Sequence, residues 1–192
     1  MPTTSHLLQG PRVAVRHVRR QDYDELTALA QDSADMLHRW LGARDHTEEA
    51  FDAYYLKRLE QPTHVGFVIC LRDTDAIVGG ANINNIVRGA LQNGTLGYTA
   101  YASTTGRGYM TEGLWLVIQH AFGELGLHRL EANIQPDNTA SLKLIQRLGF
   151  QREGYSTAFQ FINGEWRDHE RWALTAEMAG TAQQLTEQDQ FA

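Results

Sequence analysis

The sequence has very little cysteine and no long apolar run, and both shortages narrow the class of protein. One cysteine, Cys70, occurs in 192 residues, so no intramolecular disulfide can form, as is typical of a reducing compartment. No apolar stretch approaches the roughly 18–20 residues that span a bilayer. Residues 1–10 lack the basic start and apolar core of a signal peptide. We therefore expect a cytoplasmic protein with no membrane partner.

The sequence also lacks an excess of positive charge. Lys and Arg number 17 against 23 Asp and Glu, which gives a net charge of −6. Nucleic-acid binding usually needs a basic surface, so we expect no direct nucleic-acid partner. None of the eight histidines has the spacing of a zinc motif such as His-Glu-x-x-His, so we expect no metal.

Strand and helix patterns alternate along the chain, whose length fits one domain. Two-residue periodicity and turn signals predict strands at 13–17, 64–71, 76–87, 95–102, 128–134, 155–162 and 165–175. Helical periodicity predicts helices at 22–32, after Thr47, from Met110 to Gly126 and from Asn138 to Gly149. The helix predicted after Thr47 is based on four residues at helical spacing, which are Phe51, Tyr54, Tyr55 and Leu59. We expect a flexible leader at 1–11, a single domain at 12–176 and a polar tail at 177–192.

The order of these elements predicts the topology of the sheet. The strands at 64–71, 76–87 and 95–102 follow one another through short loops, so they should be antiparallel. A helix connects 95–102 to 128–134, so that pair should be parallel. Asn163-Gly164 predicts a tight hairpin between the last two strands. The chain should therefore form a mixed α+β sheet with helices on its faces.

A glycine-rich turn, Gly106-Arg107-Gly108, lies between a predicted strand and a predicted helix. Glycine lets backbone N–H groups approach a phosphate closely, and the N-terminus of a helix favours negative charge. Thr111 stands where the dinucleotide fingerprint needs its third glycine, and no nucleotide P-loop motif occurs. The turn alone indicates either a loop for another anionic ligand or a plain connection between a strand and a helix.

A second motif, Asn138-Thr139-Ala140-Ser141, opens the last predicted helix. Asn138 and Ser141 begin an inward-facing stripe that continues with Leu144, Ile145 and Leu148. The spacing fits two roles equally well, which are capping of the helix and contact with a ligand at the edge of the sheet.

The two motifs, in this order and about thirty residues apart, resemble the coenzyme-A loop and the Asn-x-x-Ser helix of the GNAT superfamily of N-acetyltransferases. Ser103 occupies a position where the family loop usually has Gln or Arg, which removes one contact but leaves the backbone amides. A narrower resemblance, to ribosomal-protein-alanine N-acetyltransferases, is carried by the segments 85–89, 96–98, 106–112 and 163–169. The likeness covers roughly residues 12–175.

This resemblance implies a GNAT fold and an enzyme that transfers acetyl from acetyl-CoA to a primary amine. The implied fold is a mostly antiparallel sheet of six to seven strands, splayed between the fourth and fifth strands and flanked by helices. The implied acceptor is a protein N-terminal α-amine, as on a ribosomal protein. Two alternatives stay open: a small amine such as an antibiotic or polyamine, and a non-catalytic acyl-CoA-binding module. A homodimer is also left open.

The resemblance also implies roles for particular residues. The pantetheine arm would pair with backbone groups of Tyr98, Thr99 and Ala100 and with Asn138. The pyrophosphate would be held by backbone amides of Thr105, Gly106, Arg107, Gly108, Tyr109 and Met110. Ser141 would lie near the sulfur and donate a proton to the leaving thiolate. A strand N–H at Tyr98 or Thr99 would stabilise the oxyanion.

The general base stays open at the level of the sequence. Some relatives use a glutamate on the hairpin after the last helix, and the matching position here is Gln160, which cannot accept a proton at neutral pH. The remaining candidates are Glu112, Glu153, Asp168, His169 and a chain of waters.

Overall fold

One sheet runs through the part of the chain that the computed structural model describes, residues 5–42, 47–53 and 60–180. Its strands are β1 (Leu8–Gln9), β2 (Val13–His17), β3 (Val65–Leu71), β4 (Ile77–Val87), β5 (Asn93–Ala100), β6 (Arg129–Ile134), β7 (Gln151–Ile162) and β8 (Glu165–Thr175). Five α-helices lie entirely within the described residues, and they are α1 (Tyr23–Asp32), α2 (Ala34–Leu41), α3 (Glu48–Phe51), α4 (Tyr109–Phe122) and α5 (Thr139–Arg147). Residues 176–180 are also helical.

Neighbouring strands run antiparallel except at one place. Their spatial order is β1-β2-β3-β4-β5-β6-β8-β7, and β5 and β6 are the parallel pair, joined by α4 as the sequence predicts. The hairpin between β7 and β8 is confirmed as well, because Asn163 and Gly164 both have positive φ, at 53° and 79°. The mixed, mostly antiparallel sheet flanked by helices that we expected is therefore confirmed.

The sheet has eight strands in the described residues, rather than the six or seven that we expected. The extra strand is β1, which lies inside the segment expected to be a flexible leader and places Leu8 opposite Val15 of β2. A two-residue strand carries no periodicity that could predict it, and its pairing depends on the free edge of β2. The start of β7 also differs, since pairing with β8 already begins at Gln151.

The helices differ from the sequence expectation by one additional helix and at one boundary. An extra helix, α2, follows α1 after Ser33 alone. The central helix ends at Phe122 rather than at Gly126, because Gly123 already takes the C-cap position. The helix predicted after Thr47 is present as α3. The same prediction also rested on Tyr54, Tyr55 and Leu59, and these three residues lie outside the described part of the chain. Residues 1–4 and 181–192 lie outside it as well.

Two apolar clusters cover the two faces of the sheet. The larger packs α4 and α5 on the sheet through residues such as Leu114 and Ile145, both 0% exposed. The smaller packs the N-terminal helices through Leu26 and other side chains. Phe67 and Val68 are consecutive in β3 but belong to different clusters, so the clusters lie on opposite faces. Within the described ranges, no helix has both the length and the apolar character needed to cross a membrane.

A charged network ties the N-terminal segment to the sheet. His6 Nε2 lies 3.3 Å from Asp75 Oδ1, and Arg16 Nε donates to the same oxygen at 3.1 Å. Arg16 also donates to both carboxylate oxygens of Asp22, at 2.8 and 2.9 Å. Burial alone would raise the pKa of Asp75, but hydrogen bonds from Cys70, Arg16 and His6 lower the pKa from 3.8 to about 2.

Asp75→Asn should therefore destabilise the protein at neutral pH by roughly 1–2 kcal/mol, since it removes the charge from these hydrogen bonds. The folded-state pKa is depressed, so the stabilisation is present above pH 3.8 and is lost as the pH falls through about 2. Free energies of unfolding in urea, measured for both proteins between pH 6 and pH 2.5, check this expectation. A difference that stays constant across this range would contradict it.

Candidate active site

A gap opens in the sheet between β5 and β6. The two strands pair over three positions only, from Asn93 opposite Arg129 to Thr95 opposite Glu131. Beyond Thr95 they diverge, and residues 96–100 of β5 stay paired with β4 alone within the described sheet. The splay predicted for these strands is therefore present. Backbone N–H and C=O groups on the open edge of β5 are left available to an extended ligand.

A cleft of about 1770 Å³ follows this gap. Ten of the eleven residues that the resemblance assigns to coenzyme A line it, and they are Tyr98, Thr99, Ala100, Thr105, Gly106, Gly108, Tyr109, Met110, Asn138 and Ser141. Arg107 is the exception: its side chain is exposed, and its carbonyl accepts a hydrogen bond from Arg12 Nη1 at 2.9 Å. Ser103 is also exposed and does not line the described cleft.

Two glycines shape the loop at the start of α4. Gly106 and Gly108 have φ of 75° and 78°, in the left-handed region that favours glycine. Gly108 is the N-cap of α4, so the first N–H groups of this helix have no carbonyl partner within the helix. Together with the positive end of the helix dipole, such groups attract a phosphate.

Arg12 and Glu112 fix this loop to the sheet. The Glu112 carboxylate accepts the backbone N–H of Arg12 at 2.7 Å and of Val13 at 3.0 Å, and it also accepts from Arg12 Nε at 2.9 Å. The Arg12 guanidinium lies 5.2 Å over the ring of Tyr109. Partial burial would raise the pKa of Glu112, but these hydrogen bonds lower it on balance. Glu112 therefore anchors the loop and is not a free base.

Ser141 has a partner that the sequence analysis missed. Its Oγ forms a short hydrogen bond with the hydroxyl of Tyr98, a residue for which we predicted only backbone contacts. Burial raises the pKa of Tyr98 to about 12, although the hydrogen bond with Ser141 lowers it. The pair therefore stays protonated at neutral pH and can donate a proton. The sequence did contain a signal for the inward direction of the Tyr98 side chain. Side chains alternate along a strand, so Tyr98 lies on the same face as buried Leu96, which is the face that α5 covers.

Asn138 has the capping role that the sequence left open. Its Oδ1 accepts the backbone N–H of Ser141 at 3.1 Å, at the N-cap of α5. The cap uses only the side-chain oxygen of Asn138. It also holds the first turn of α5 in place, and with it the Ser141 hydroxyl.

The far side of the cleft is framed by the end of α2. Asn163, at the tip of the β7–β8 hairpin, donates to the His38 carbonyl at 2.7 Å. Gln135, just beyond β6, donates to the Trp40 carbonyl at 3.2 Å. These two bonds join α2 to the β7–β8 hairpin and to the segment after β6, which belong to the part of the sheet that lies past the gap.

Two of the predicted bases are engaged outside the described cleft. Glu153 forms a bidentate pair with Arg129, whose hydrogen bonds lower the pKa of the carboxyl. Asp168 accepts the Ala158 N–H at 2.8 Å and the Tyr155 hydroxyl at 2.7 Å, and these bonds lower its pKa. The predicted positions that do line the cleft are Gln160 and His169.

The chain is similar to known acetyltransferases over most of its length. The family model described as acetyltransferase (GNAT) domain matches residues 12–151. The [ribosomal protein uS5]-alanine N-acetyltransferase of Escherichia coli (strain K12) is 33% identical over 175 residues, or 88% of this chain and 90% of that relative. The probable N-acetyltransferase YjcK of Bacillus subtilis (strain 168) is 32% identical over 174 residues, or 88% and 96%. The solved structure of Mycobacterium smegmatis RimJ in complex with CoA-disulfide has a TM-score of 0.84 at 28% identity, and the match covers 94% of this chain and 93% of that one.

Gly108→Ala tests the loop as the acetyl-CoA site. The new β-carbon would lie 3.2 Å from Arg12 Nη2, in a backbone region that L residues disfavour. We expect the affinity for acetyl-CoA, measured by titration calorimetry, to fall roughly tenfold or more, which corresponds to a loss of about 1.4 kcal/mol. Gly126→Ala is the matched control, because Gly126 has a φ of 60° with no atom within 4 Å of the added carbon. Equal affinities of the two folded variants would contradict the assignment.

Proposed function

Because the chain belongs to the GNAT family of acetyltransferases and uses acetyl-CoA as its acetyl donor, we propose that it acetylates the N-terminal α-amine of a protein. The observation that carries this choice of acceptor is the shortage of negative charge in the cleft. Among the described lining residues one carboxylate occurs, that of Glu131. Its Oε1 accepts from Arg129 Nε at 2.8 Å, so an ion pair already offsets its charge.

This shortage weighs against a polyamine acceptor. A polyamine carries several positive charges at neutral pH, and binding it in a partly buried cleft would require several carboxylates to offset the cost of desolvation. A protein N-terminus carries one charge, and the polypeptide that follows it binds through backbone groups. The polar lining between α2 and the hairpin, with Asn133, Gln135 and Gln160, suits such an acceptor.

Amine acidity also favours an α-amine over a lysine side chain. An α-amine has a pKa of about 7.7–8.0, so roughly a tenth of it is neutral at pH 7, whereas a lysine with a pKa of about 10.4 is neutral in a few parts in ten thousand. Only the neutral amine attacks an acyl carbon. Gln160 replaces the glutamate that some relatives place on this hairpin. A cleft without a strong carboxylate base should therefore act best on the amine that loses its proton most readily.

In the proposed complex, this chain holds acetyl-CoA along the open edge of β5 and the start of α4. Backbone groups of Tyr98, Thr99 and Ala100 pair with the pantetheine arm, because this edge of the strand lacks a neighbour in the described sheet. The amides of residues 105–110 bind the pyrophosphate. Gly106 keeps the loop accessible, since no atom lies within 4 Å of the position a β-carbon would take. Asn138 completes the contact with its side-chain amide.

The bound thioester supplies an activated acetyl group with a thiolate leaving group. A backbone N–H of Tyr98 or Thr99 stabilises the negative charge on the acetyl oxygen as the amine attacks. Ser141 donates its hydroxyl proton to the departing sulfur, and Tyr98 replaces that proton through their hydrogen bond. The acceptor is a cytoplasmic protein, of the ribosomal class on which the Escherichia coli relative acts by its name.

Ser141→Ala should lower kcat about tenfold with little change in the KM for acetyl-CoA, because a thiolate of pKa about 8.5 needs only modest help to leave. Ser141→Thr is the matched control, since it keeps a hydroxyl at the same position of α5 and should retain most of the activity. Single-turnover rates isolate the chemical step. An unaltered single-turnover rate in Ser141→Ala would assign Ser141 to the helix cap alone.

The choice of acceptor is tested with two peptides of one sequence. One has a free N-terminus and no lysine, and the other has a blocked N-terminus and one lysine. We expect kcat/KM at pH 7 to be higher by at least tenfold for the free N-terminus, given the difference in neutral fraction. A preference for lysine would contradict the proposal. If the protein acetylated small amines and neither peptide, it would be a small-molecule amine acetyltransferase instead.

A further inference from the structure

The cleft contains two groups that can accept a proton at neutral pH among its described lining residues, Glu131 and His169. Glu131 is held by Arg129 Nε at 2.8 Å, and the same guanidinium binds Glu153. The Glu131 carboxylate is therefore already engaged in an ion pair. His169 is left as the group that can accept a proton without breaking an ion pair.

His169 lies on the face of the sheet that lines the far side of the cleft. It is opposite Ser156 of β7, and two residues further along β8 Arg171 is opposite Asn133 of β6. Residues two apart in a strand share a face, so His169, Arg171 and Asn133 belong to one polar wall, and all three line the cleft. His169 is only 3% exposed, so its ring is enclosed by this wall.

Hydrogen bonding sets the tautomer of the His169 ring. Nδ1 lies 3.1 Å from the backbone carbonyl of Arg167. A carbonyl oxygen only accepts, so Nδ1 must carry the proton and Nε2 must keep its lone pair in the neutral ring. Nε2 makes no hydrogen bond with any residue that the structure describes. It is therefore free to accept a proton from a molecule in the cleft.

A β-bulge packs beside His169. The register of β7 against β8 shifts between Ser156 and Gln160, and within it Ala158 has a positive φ of 49°. Asp168 holds the bulge by accepting the Ala158 N–H at 2.8 Å. As a result the Phe159 ring lies 5.4 Å from the His169 ring. The bulge thus encloses the imidazole on the hairpin side and makes Asp168 a positioning residue.

We propose that His169 is the general base of the transfer, accepting at Nε2 a proton from the attacking amine, directly or through one water. This inference rests on the proposed function. As the nitrogen–carbon bond forms and the carbon–sulfur bond breaks, one proton passes from nitrogen to Nε2 and one from Ser141 to sulfur. The imidazolium returns its proton to solvent, and solvent restores the proton of the Tyr98–Ser141 pair. The products are the acetylated amine and free coenzyme A, so atoms and charge balance.

The surroundings keep the imidazole neutral at neutral pH. Burial lowers the pKa of His169, while the hydrogen bond to Arg167 and the charge of Asp168 act in the opposite direction. The facing residues of β7, Ser156 and Phe159, carry no charge, and neither do the described cleft-lining residues of α2. Arg171, which shares the wall with His169, carries a positive charge that also disfavours the imidazolium. A neutral ring is the form that can act as a base.

His169→Asn removes Nε2 while its side-chain amide can still donate to the Arg167 carbonyl. We expect kcat to fall about 100-fold, with unchanged affinity for acetyl-CoA. We also expect kcat of the wild-type protein to decline toward acidic pH as the His169 ring becomes protonated, and this decline should be absent from the variant. His120→Asn is the matched control, because His120 is also buried, at 7% exposure, also has a pKa lowered by burial, and does not line the described cleft. It should keep kcat and the pH profile.

The assay uses whichever amine the wild-type protein acetylates fastest. If the proposed acceptor class is wrong, the measurements on the wild-type protein show it, and the comparison of the variants with the wild-type protein is still valid. Retention of kcat or of the acidic decline in His169→Asn would overturn the inference. Should that variant fail to fold, nitrogen-15 NMR of histidine-labelled wild-type protein decides. His169 must appear as the neutral tautomer with the proton on Nδ1 at pH 7, and a ring protonated on Nε2 would overturn the inference.

Discussion

The divergence of β5 from β6 after three paired positions is the constraint on which the rest of this site depends. A closed sheet would pair the backbone of residues 96–100 on both sides and leave no path through the molecule. With the strands apart, one edge of β5 can bind an extended ligand, and the gap forms an opening from one face of the sheet to the other. In the proposed complex, the donor lies along the open edge of β5 and the start of α4, and the acceptor approaches from the side of α2 and the hairpin.

An open sheet loses cross-strand hydrogen bonds, so other contacts must hold the two halves together. On the donor side, Glu112 accepts the backbone N–H groups of Arg12, just before β2, and of Val13, the first residue of β2, together with the guanidinium of Arg12. These bonds fix the start of α4 to the sheet. On the acceptor side, Asn163 and Gln135 join the hairpin and the end of β6 to α2. Across the gap, the Tyr98–Ser141 hydrogen bond joins β5 to α5. The hydrogen-bonded pair that joins the two sides of the cleft thus also contains the proposed proton donor, Ser141.

Much of the fold could be predicted from local pattern. The parallel pairing of β5 and β6 followed from the helix between them, and the hairpin followed from Asn163-Gly164, because short-range geometry decides both. The extra strand β1 could not be predicted, since two residues have no period and pair only because β2 offers a free edge. The helix α2 was missed because Ser33 separates it from α1 without a strong turn signal. In the site, the glycine turn and the Asn-x-x-Ser helix were identified as ligand-binding candidates, but their partners were not.

The sequence by itself determined which residue types stand at the start of α4 and α5, because glycine geometry and helix ends act over a few residues. The order and spacing of these two motifs carried the resemblance to the GNAT family, and that resemblance implied acetyl-CoA as donor. Only the tertiary structure decided what each titratable group does. Glu112, Glu153 and Asp168 looked equally able to act as bases, yet each accepts a hydrogen bond from another element of the fold or from another part of the hairpin. The proposed roles of Tyr98 and His169 also depend on the tertiary structure. The hydrogen-bond partner of Tyr98, Ser141, is 43 residues away in the sequence. The burial of His169 depends on a bulge in the neighbouring strand. A pKa is set by burial and by contacts in space, and no local pattern specifies either.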